Sequence, residues 1–335
     1  MTLISFAIPF KDRIGRLKVV VKSIIDACYS GQIQDWEIVL SNNASSLQSL
    51  QELQYFINVD LSEYSHCIRL HSLERTISLP ENWLYALSLC KGKILNIRRS
   101  CDRLIKLDRS ILEILSSESL HDYVLTPVYI PSIQGEDTRV SYLRSVNKAR
   151  SLIGLSMSSE VKFKLLFSGF NQLGDLGGLY FKSHCMQQLS LPIDMYNPSF
   201  ISWPDHEIYI RLLLLYKGSY LNIQTSELTF SNVSSSARAA KDPIFDDYSY
   251  CFPRVLNTFL PFYPQYRFLF DEVSFPLKIA YLSRAIVLIL GYAKNPLHLF
   301  FLPSVFLFSM LLIVKNAVLG MRSKIIALST KVYGK

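Results

Sequence analysis

ISFAIPFKDR, residues 4–13, is an apolar run that breaks into charge, and EIVLSNNASS, residues 37–46, repeats that pattern with a polar, serine-rich ending. Ile4 to Pro9 reads as a buried strand. Between the two quotations Leu17, Val20, Val21, Ile24, Ile25 and Cys28 fall on one stripe of an amphipathic helix. Trp36–Leu40 is a second apolar run, and it ends in Ser41-Asn42-Asn43-Ala44-Ser45-Ser46. Strand, helix and strand make a βαβ unit, whose strands pair in parallel. Ligands of open α/β sheets bind just past the carboxyl ends of such strands. Here those ends are Lys11-Asp12-Arg13 and Asn42-Asn43, and a nucleotide is the expected ligand.

The chain has 335 residues, 50% of them hydrophobic, with mean hydropathy +0.21 and net charge +8. That length fits one domain of ordinary size plus an extension. The hydropathy is high for a soluble enzyme and points to membrane contact. Lys315, Arg322, Lys324, Lys331 and Lys335 end the chain with no acid among them, a tail suited to an anionic lipid surface. The tail could also touch nucleic acid, but no recognition motif accompanies the charge, so that reading ranks lower and no nucleic-acid partner is expected. The six cysteines are scattered without a CxxC pair, which implies a reducing compartment and no structural zinc. The first residues lack a positive n-region and read as a strand rather than a signal peptide, so the bulk of the chain is expected in the cytoplasm.

Further along, a helix is expected from Ser46 to about Phe56, with Leu47, Leu50 and Leu53 on its inner side, and a third strand over Cys67–Leu73. Pro80 and Gly92 bracket another helix, ENWLYALSLCKG, with Trp83, Leu84 and Leu87 in the core. A short strand, Ile94–Ile97, runs into Arg98-Arg99-Ser100-Cys101-Asp102. Asp122–Ile130 reads as one strand, and residues 133–160 as an exposed insertion. Ser168–Lys182 holds Gly169, Gly174, Gly177 and Gly178, in a spacing that is not a P-loop. Pro204 opens a helix in WPDHEIYIRLLLLYKGSYL and Gly218 closes it, with Leu212–Leu215 in the core and a strand over Tyr220–Ile223. Asp205 and Glu207 in its first turn also suit the helix dipole. Asn295–Val314 is 20 residues without a charge, about the length of a membrane span, but Pro296, Pro303 and His298 interrupt it. A single crossing would put the basic tail on the far side, against the positive-inside rule. Interfacial association without crossing is therefore expected.

The two opening quotations resemble the start of the inverting glycosyltransferase family 2, which begins with a pattern like "IPtyNR … EIvvsDNaStD". The resemblance covers roughly the first 230 residues. It implies an α/β GT-A fold with a Rossmann-like nucleotide-binding half over residues 1–245, followed by a hydrophobic, basic, membrane-associating helical region over 246–335. It implies a nucleotide-sugar site formed by Pro9, Lys11, Asp12, Arg13, Asn42, Asn43, Asn82, Arg98, Arg99 and Asp102. The family's Asp-rich "DxD", which binds Mg²⁺ or Mn²⁺, aligns with Ser100-Cys101-Asp102, so that Asp102 alone is left as metal ligand. Arg98, Arg99 and Arg103 flank it, and guanidinium groups can hold phosphate oxygens in the cation's stead. Asp205 aligns with the catalytic base, with Glu207 as the alternative and His206 turned to a neighbouring face; Arg211, Gly218 and Tyr220 match downstream. Arg238 or Lys241, in the polar run Ser231–Lys241, would reach the diphosphate from a closing loop.

Asn42 stands where the family commonly has an aspartate that reads uracil, and an amide both donates and accepts. That suits a CDP-sugar, and the transferases for dideoxyhexoses such as abequose are similar in length and tail. The resemblance thus implies a hexosyl or dideoxyhexosyl transferase on the cytoplasmic face of the bacterial inner membrane, peripheral or monotopic. Its acceptor would be an undecaprenyl-diphosphate oligosaccharide of O-antigen or capsule. The rival function class is a non-catalytic GT-A scaffold that binds glycan or assembly partners, favoured by the reduced DxD and opposed by the retained Asp205. A nucleotidyltransferase ranks last, for want of a Gly-rich, Lys-containing loop after the first strand.

Overall fold

The first strand, β1 (Ile4–Phe10), is buried along its whole length. Strand alternation sends Ile4, Phe6, Ile8 and Phe10 to one face and Ala7 to the other, so β1 divides the interior into two apolar layers. Helix α1 (Ile14–Ser30) covers the first face, and all six residues of its predicted stripe are buried. Full burial of side chains such as Phe6, Leu17 and Ile24 stabilises the fold by about 1.5–3 kcal/mol each. This is a computed structural model, and it describes residues 3–116, 119–129, 144, 146–154, 157–167, 173, 176–189, 204–227, 274 and 276.

Strand β2 (Trp36–Asn42) pairs in parallel with β1, Phe10 opposite Asn42. Helix α2 (Leu47–Tyr55) starts at the Ser46 cap and leads, through a π turn at Phe56–Asp60 and a 3₁₀ turn at Ser62–Cys67, to β3 (Ile68–Ser72), parallel to β2. Helix α3 (Leu79–Ser88) opens on a capping box between Ser78 and Glu81. Strand β4 (Ile94–Ile97) then adds to the opposite side of β1, also in parallel. The order β3-β2-β1-β4 therefore reverses between β1 and β4, which is the position where open α/β sheets form their ligand crevice.

Further elements among the described residues are β5 (Arg103–Leu104), α4 (Arg109–Ile114), β6 (Tyr123–Leu125), β7 (Val128–Tyr129), α5 (Ser159–Phe167), β8 (Leu179–Lys182), α6 (Met186–Leu189), α7 (Pro204–Leu215), β9 (Gly218–Tyr220) and β10 (Ser226–Glu227), with 3₁₀ turns at Leu176–Gly178 and Ser183–Cys185. Strand β8 lies antiparallel between β4 and β6, and β9 is parallel to β6. The main sheet thus reads β3-β2-β1-β4-β8-β6-β9, and β5, β10 and β7 form a small second sheet. The α/β expectation is met.

Several expected details are corrected. Asp122–Ile130 is not one strand: β6 and β7 belong to different sheets, separated at Thr126-Pro127, where proline removes an N–H donor. The strand expected over Tyr220–Ile223 runs instead over Gly218–Tyr220. Leu47 is exposed and only Leu53 of the three α2 leucines is fully buried; Leu215 likewise faces outward at the end of α7. Gly92 and Gly218 do not terminate helices. A Cβ at Gly92 would lie 2.5 Å from Ser5 Oγ, and one at Gly218 would enter the Tyr123 ring, so both are close-approach glycines.

Cys28, Cys67, Cys90, Cys101 and Cys185 are free thiols, and burial pushes Cys28, Cys90 and Cys185 up to about 12, inert small hydrophobes in effect. Among the described residues no helix is long and apolar enough to cross a membrane. The domain boundary at 245/246, the Asn295–Val314 stretch, the basic tail, Cys251, Gly169, Gly174, and the Ser231–Lys241 run with Arg238 and Lys241 lie outside the described residues.

Candidate active site

Because β1 to β4, β6 and β9 all run one way, their carboxyl ends share one edge of the sheet. At the end of β1, Pro9 is buried opposite Ser41, and Lys11 is exposed with its Nζ donating to Thr76 Oγ1 at 2.9 Å. Asp12 and Arg13 both adopt the left-handed conformation, φ 53° and 57°. Two successive non-glycine residues there cost on the order of 1–3 kcal/mol each, and such strain concentrates at functional sites. The neighbouring loop holds them in place. The Asp12 N–H donates to Ser45 Oγ at 2.7 Å, and Asp12 Oδ1 accepts from the Ser46 N–H at 3.1 Å and Ser49 Oγ at 3.2 Å. Ala44 in that loop is also left-handed, φ 54°. Helix α1 begins here with no side-chain cap and no acid in its first turn, so its first N–H groups and dipole favour an anion at this edge.

At the end of β2 the two asparagines act as struts. Asn42 is buried; its Oδ1 accepts from the Ser45 N–H at 3.0 Å and its Nδ2 donates to Ser72 Oγ at 3.2 Å. Asn43 clamps Ile77 through both backbone groups, at 2.9 and 2.8 Å. Asn82 is buried and accepts from Ser41 Oγ at 2.6 Å, which ties α3 to β2.

The segment after β4 separates its arginines. Arg98 is buried and points inward: Nη2 donates to Gly177 O at 2.9 Å and Ser226 Oγ at 3.1 Å, and Nη1 to Arg103 O at 3.1 Å. Arg99 instead grips Asp102 by a two-point fork, Nε to Oδ2 at 2.6 Å and Nη2 to Oδ1 at 2.9 Å. The Asp102 side chain is 0% exposed and that of Arg99 33%. Arg103 lies 3.7 Å from Glu227, on the small sheet. No three His, Cys, Asp or Glu side chains gather into a cation site among the described residues. Asp102 as metal ligand is therefore not matched by its surroundings: both oxygens already face a guanidinium. The described residues do not fit a bound Mg²⁺ or Mn²⁺.

Helix α7 spans the depth of the sheet. Beyond its carboxyl end the Lys217 N–H donates to Asp122 Oδ2 at 3.0 Å, beside the start of β6. At its middle Tyr209 Oη accepts from Arg150 Nη2 at 3.0 Å, while Arg150 Nη1 donates to Thr126 O at 2.6 Å, just past the end of β6. The first turn of α7, with Asp205 and Glu207, therefore lies towards the edge that carries Lys11-Asp12-Arg13 and Arg99. The side chains of residues 204–207 are outside the described set. Arg150 is fully buried, although the polar stretch 133–160 in which it lies reads as an exposed insertion. Its one visible signal is Gly178, where a Cβ would stand 2.7 Å from Arg150 Nη1.

No family model matches the chain, and no curated protein matches it. Solved structures do resemble it in outline. S. aureus TarS shares 13% identity over 78% of this chain and 40% of its own, with a TM-score of 0.49; this chain spans less than half of that protein. TarS 1-349 in complex with UDP gives 12% identity, 86% and 80% coverage and a TM-score of 0.49. The mannosyltransferase PcManGT from Pyrobaculum calidifontis, in complex with GDP-Man and Mn²⁺, gives 12%, 85% and 86%, and 0.47. At these identities and scores the likeness carries no residue-by-residue correspondence.

Proposed function

We propose that this chain is a glycosyltransferase of the GT-A type that takes a sugar from a nucleotide-sugar donor. The observation that carries the reading is topological. The strained Asp12-Arg13 turn, the Asn42-Asn43 struts and the Arg99–Asp102 pair follow the carboxyl ends of β1, β2 and β4, around the point where strand order reverses, and α7 starts on the same side of the sheet. The sequence pattern of the first 230 residues supports the same reading.

In the proposed reaction an acceptor hydroxyl attacks the anomeric carbon from the side opposite the nucleotide. The new C–O bond forms as the bond to the diphosphate breaks, and the diphosphate leaves with the electron pair. Asp205 takes the hydroxyl proton, a role worth roughly 10²–10⁴-fold; Glu207 is the alternative base. Lys11, Arg13 and Arg99 give the edge a positive field for the departing diphosphate. The acceptor in this proposal is a lipid-linked oligosaccharide of O-antigen or capsule, supported by the apolar, basic carboxyl-terminal third. A CDP-dideoxyhexose donor would require Asn42 to exchange a bond to Ser45 or Ser72 for one to the base.

Asp205→Asn tests the reading. Turnover should fall by about 10²–10⁴-fold while nucleotide affinity stays within error. Unchanged turnover in that variant would remove Asp205 from the chemistry, and a wild-type chain that binds nucleotide without any turnover would favour the non-catalytic scaffold.

A further inference from the structure

We infer that the Arg99–Asp102 pair replaces the divalent cation at the diphosphate subsite, so that this chain binds nucleoside diphosphates without metal. The inference rests on the nucleotide-sugar reading above and goes one step further, to the chemistry of that subsite.

The donor set comes first. Mg²⁺ and Mn²⁺ need several oxygen ligands with carboxylate lone pairs turned towards them. After β4 the chain offers a hydroxyl, a thiol and one carboxylate, and the carboxylate spends both oxygens on Arg99 at 2.6 and 2.9 Å. The Cys101 Sγ also leans on Asp102 Oδ1 at 3.7 Å. With its side chain 0% exposed, Asp102 is a holder of arginine, not an open ligand.

The arginine comes second. A guanidinium has five donors in a fixed plane, and its fork matches phosphate oxygens. Asp102 fixes that plane through Nε and Nη2, while a third of the side chain remains exposed just beyond β4, next to the end of β1. The three arginines that sequence could not rank are now separated. Arg98 faces inward to Gly177 and Ser226, and Arg103 stands by Glu227 in the small sheet. Arg99 alone of the three joins a fixed guanidinium to an exposed surface at the switch point.

Charge balance comes third. A divalent cation on two carboxylates is neutral as a set, and so is one guanidinium on one carboxylate. The exchange removes a metal and an acid together and keeps the balance that a diphosphate would meet.

The test is calorimetry of the full chain with UDP, GDP, dTDP and CDP, and with the monophosphate of whichever binds, first in EDTA and then in Mn²⁺. The expected result is a diphosphate affinity that agrees within about threefold between the two. Arg99→Lys should weaken the diphosphate about 10–100-fold and leave the monophosphate nearly unchanged, the range that charge-assisted hydrogen bonds carry. Asp102→Asn should act in the same direction by releasing Arg99. Binding that appears only with Mn²⁺ overturns the inference, as does Asp102→Asn with unaltered diphosphate affinity. If either variant fails to fold, the wild-type comparison decides alone. Binding of no nucleotide under either condition overturns the transferase reading itself.

Discussion

Glu37→Gln is predicted to be among the most damaging isosteric changes in the amino-terminal half. Glu37 lies on β2 with a side chain only 8% exposed, and it joins three strands and a loop. Its Oε1 accepts from Ser5 Oγ of β1 and from the Lys91 N–H before β4, both at 2.5 Å. Its Oε2 takes Arg69 of β3, Nε at 2.9 Å and Nη2 at 2.7 Å. Glutamine can keep the Ser5 and Lys91 bonds on its oxygen, but its NH₂ then faces the donors of Arg69. Removing one member of a buried ion pair costs about 3–5 kcal/mol. Arg69 is 26% exposed and still holds Leu89 O, so water recovers part of that loss and the lower end applies, about 3 kcal/mol. At about 2–4 °C per kcal/mol for a domain of this size, Tm should drop by about 6–12 °C.

The pH dependence gives a second check on the same variant. Burial pushes the Glu37 carboxyl up, but the Ser5 hydroxyl, the Lys91 N–H and Arg69 together outweigh it and hold the group below its ordinary value of 4.5. A depressed folded pKa means that the stabilisation is full above the unfolded value and is lost as pH falls through the folded one. The Tm gap between wild type and Glu37→Gln should therefore be widest near neutrality and close below about pH 4.5. Thermal unfolding followed by circular dichroism, from pH 7 to pH 3, measures both. A gap equivalent to less than about 1 kcal/mol at pH 7, or one that does not narrow on acidification, would refute the reasoning.

Three other outcomes follow from the same geometry. Asn43→Ala removes both bonds to Ile77 and should cost about 1–3 kcal/mol in urea unfolding, with weaker nucleotide binding because the loop beside β2 loses its strut. Tyr209→Phe keeps the ring but leaves Arg150 one bond short. Hydrogen exchange at 204–210 should then rise about fivefold, as expected for the loss of roughly 1 kcal/mol, and turnover should fall with nucleotide affinity unchanged; unaltered exchange would exclude Arg150 as the anchor of α7. Gly92→Ala places a Cβ 2.7 Å from the Ser5 backbone nitrogen and should lower stability by about 1–3 kcal/mol, measured by the same thermal scan.

The parts of the fold visible in sequence are those set by hydrophobic period. The β1–α1–β2 opening is readable because every residue of the α1 stripe is buried and β1, apolar but for Ser5, is buried throughout. Period does not distinguish glycines that serve contact from those that reverse the chain: Gly92 and Gly218 stand where helix stops are expected, yet Ser5 and Tyr123 dictate them. Thr126-Pro127 looked like the middle of a strand because the apolar run continues across it, yet the two halves join different sheets.

At the candidate site, sequence places the segments after β1, β2 and β4 on one edge but does not show how their side chains face. Arg98 and Arg99 are adjacent and chemically identical, and only their facing separates a buried strut from an exposed fork. Asp102 was read as a ligand because a carboxylate is expected there; its pairing with Arg99 three residues earlier depends on a turn that no propensity reveals. The left-handed Asp12-Arg13 turn was equally hidden, since neither residue is a glycine.

The most direct measurement is a calorimetric titration of the full chain in detergent with UDP, GDP, dTDP and CDP. The account predicts saturable one-to-one binding with a clear preference for one base, weakened by Asp12→Ala, which removes the carboxylate bonds to the Ser46 cap and to Ser49 in the first turn of α2 at the site edge. Absence of binding by all four nucleotides in folded protein would contradict the assignment of this edge as a nucleotide-sugar site.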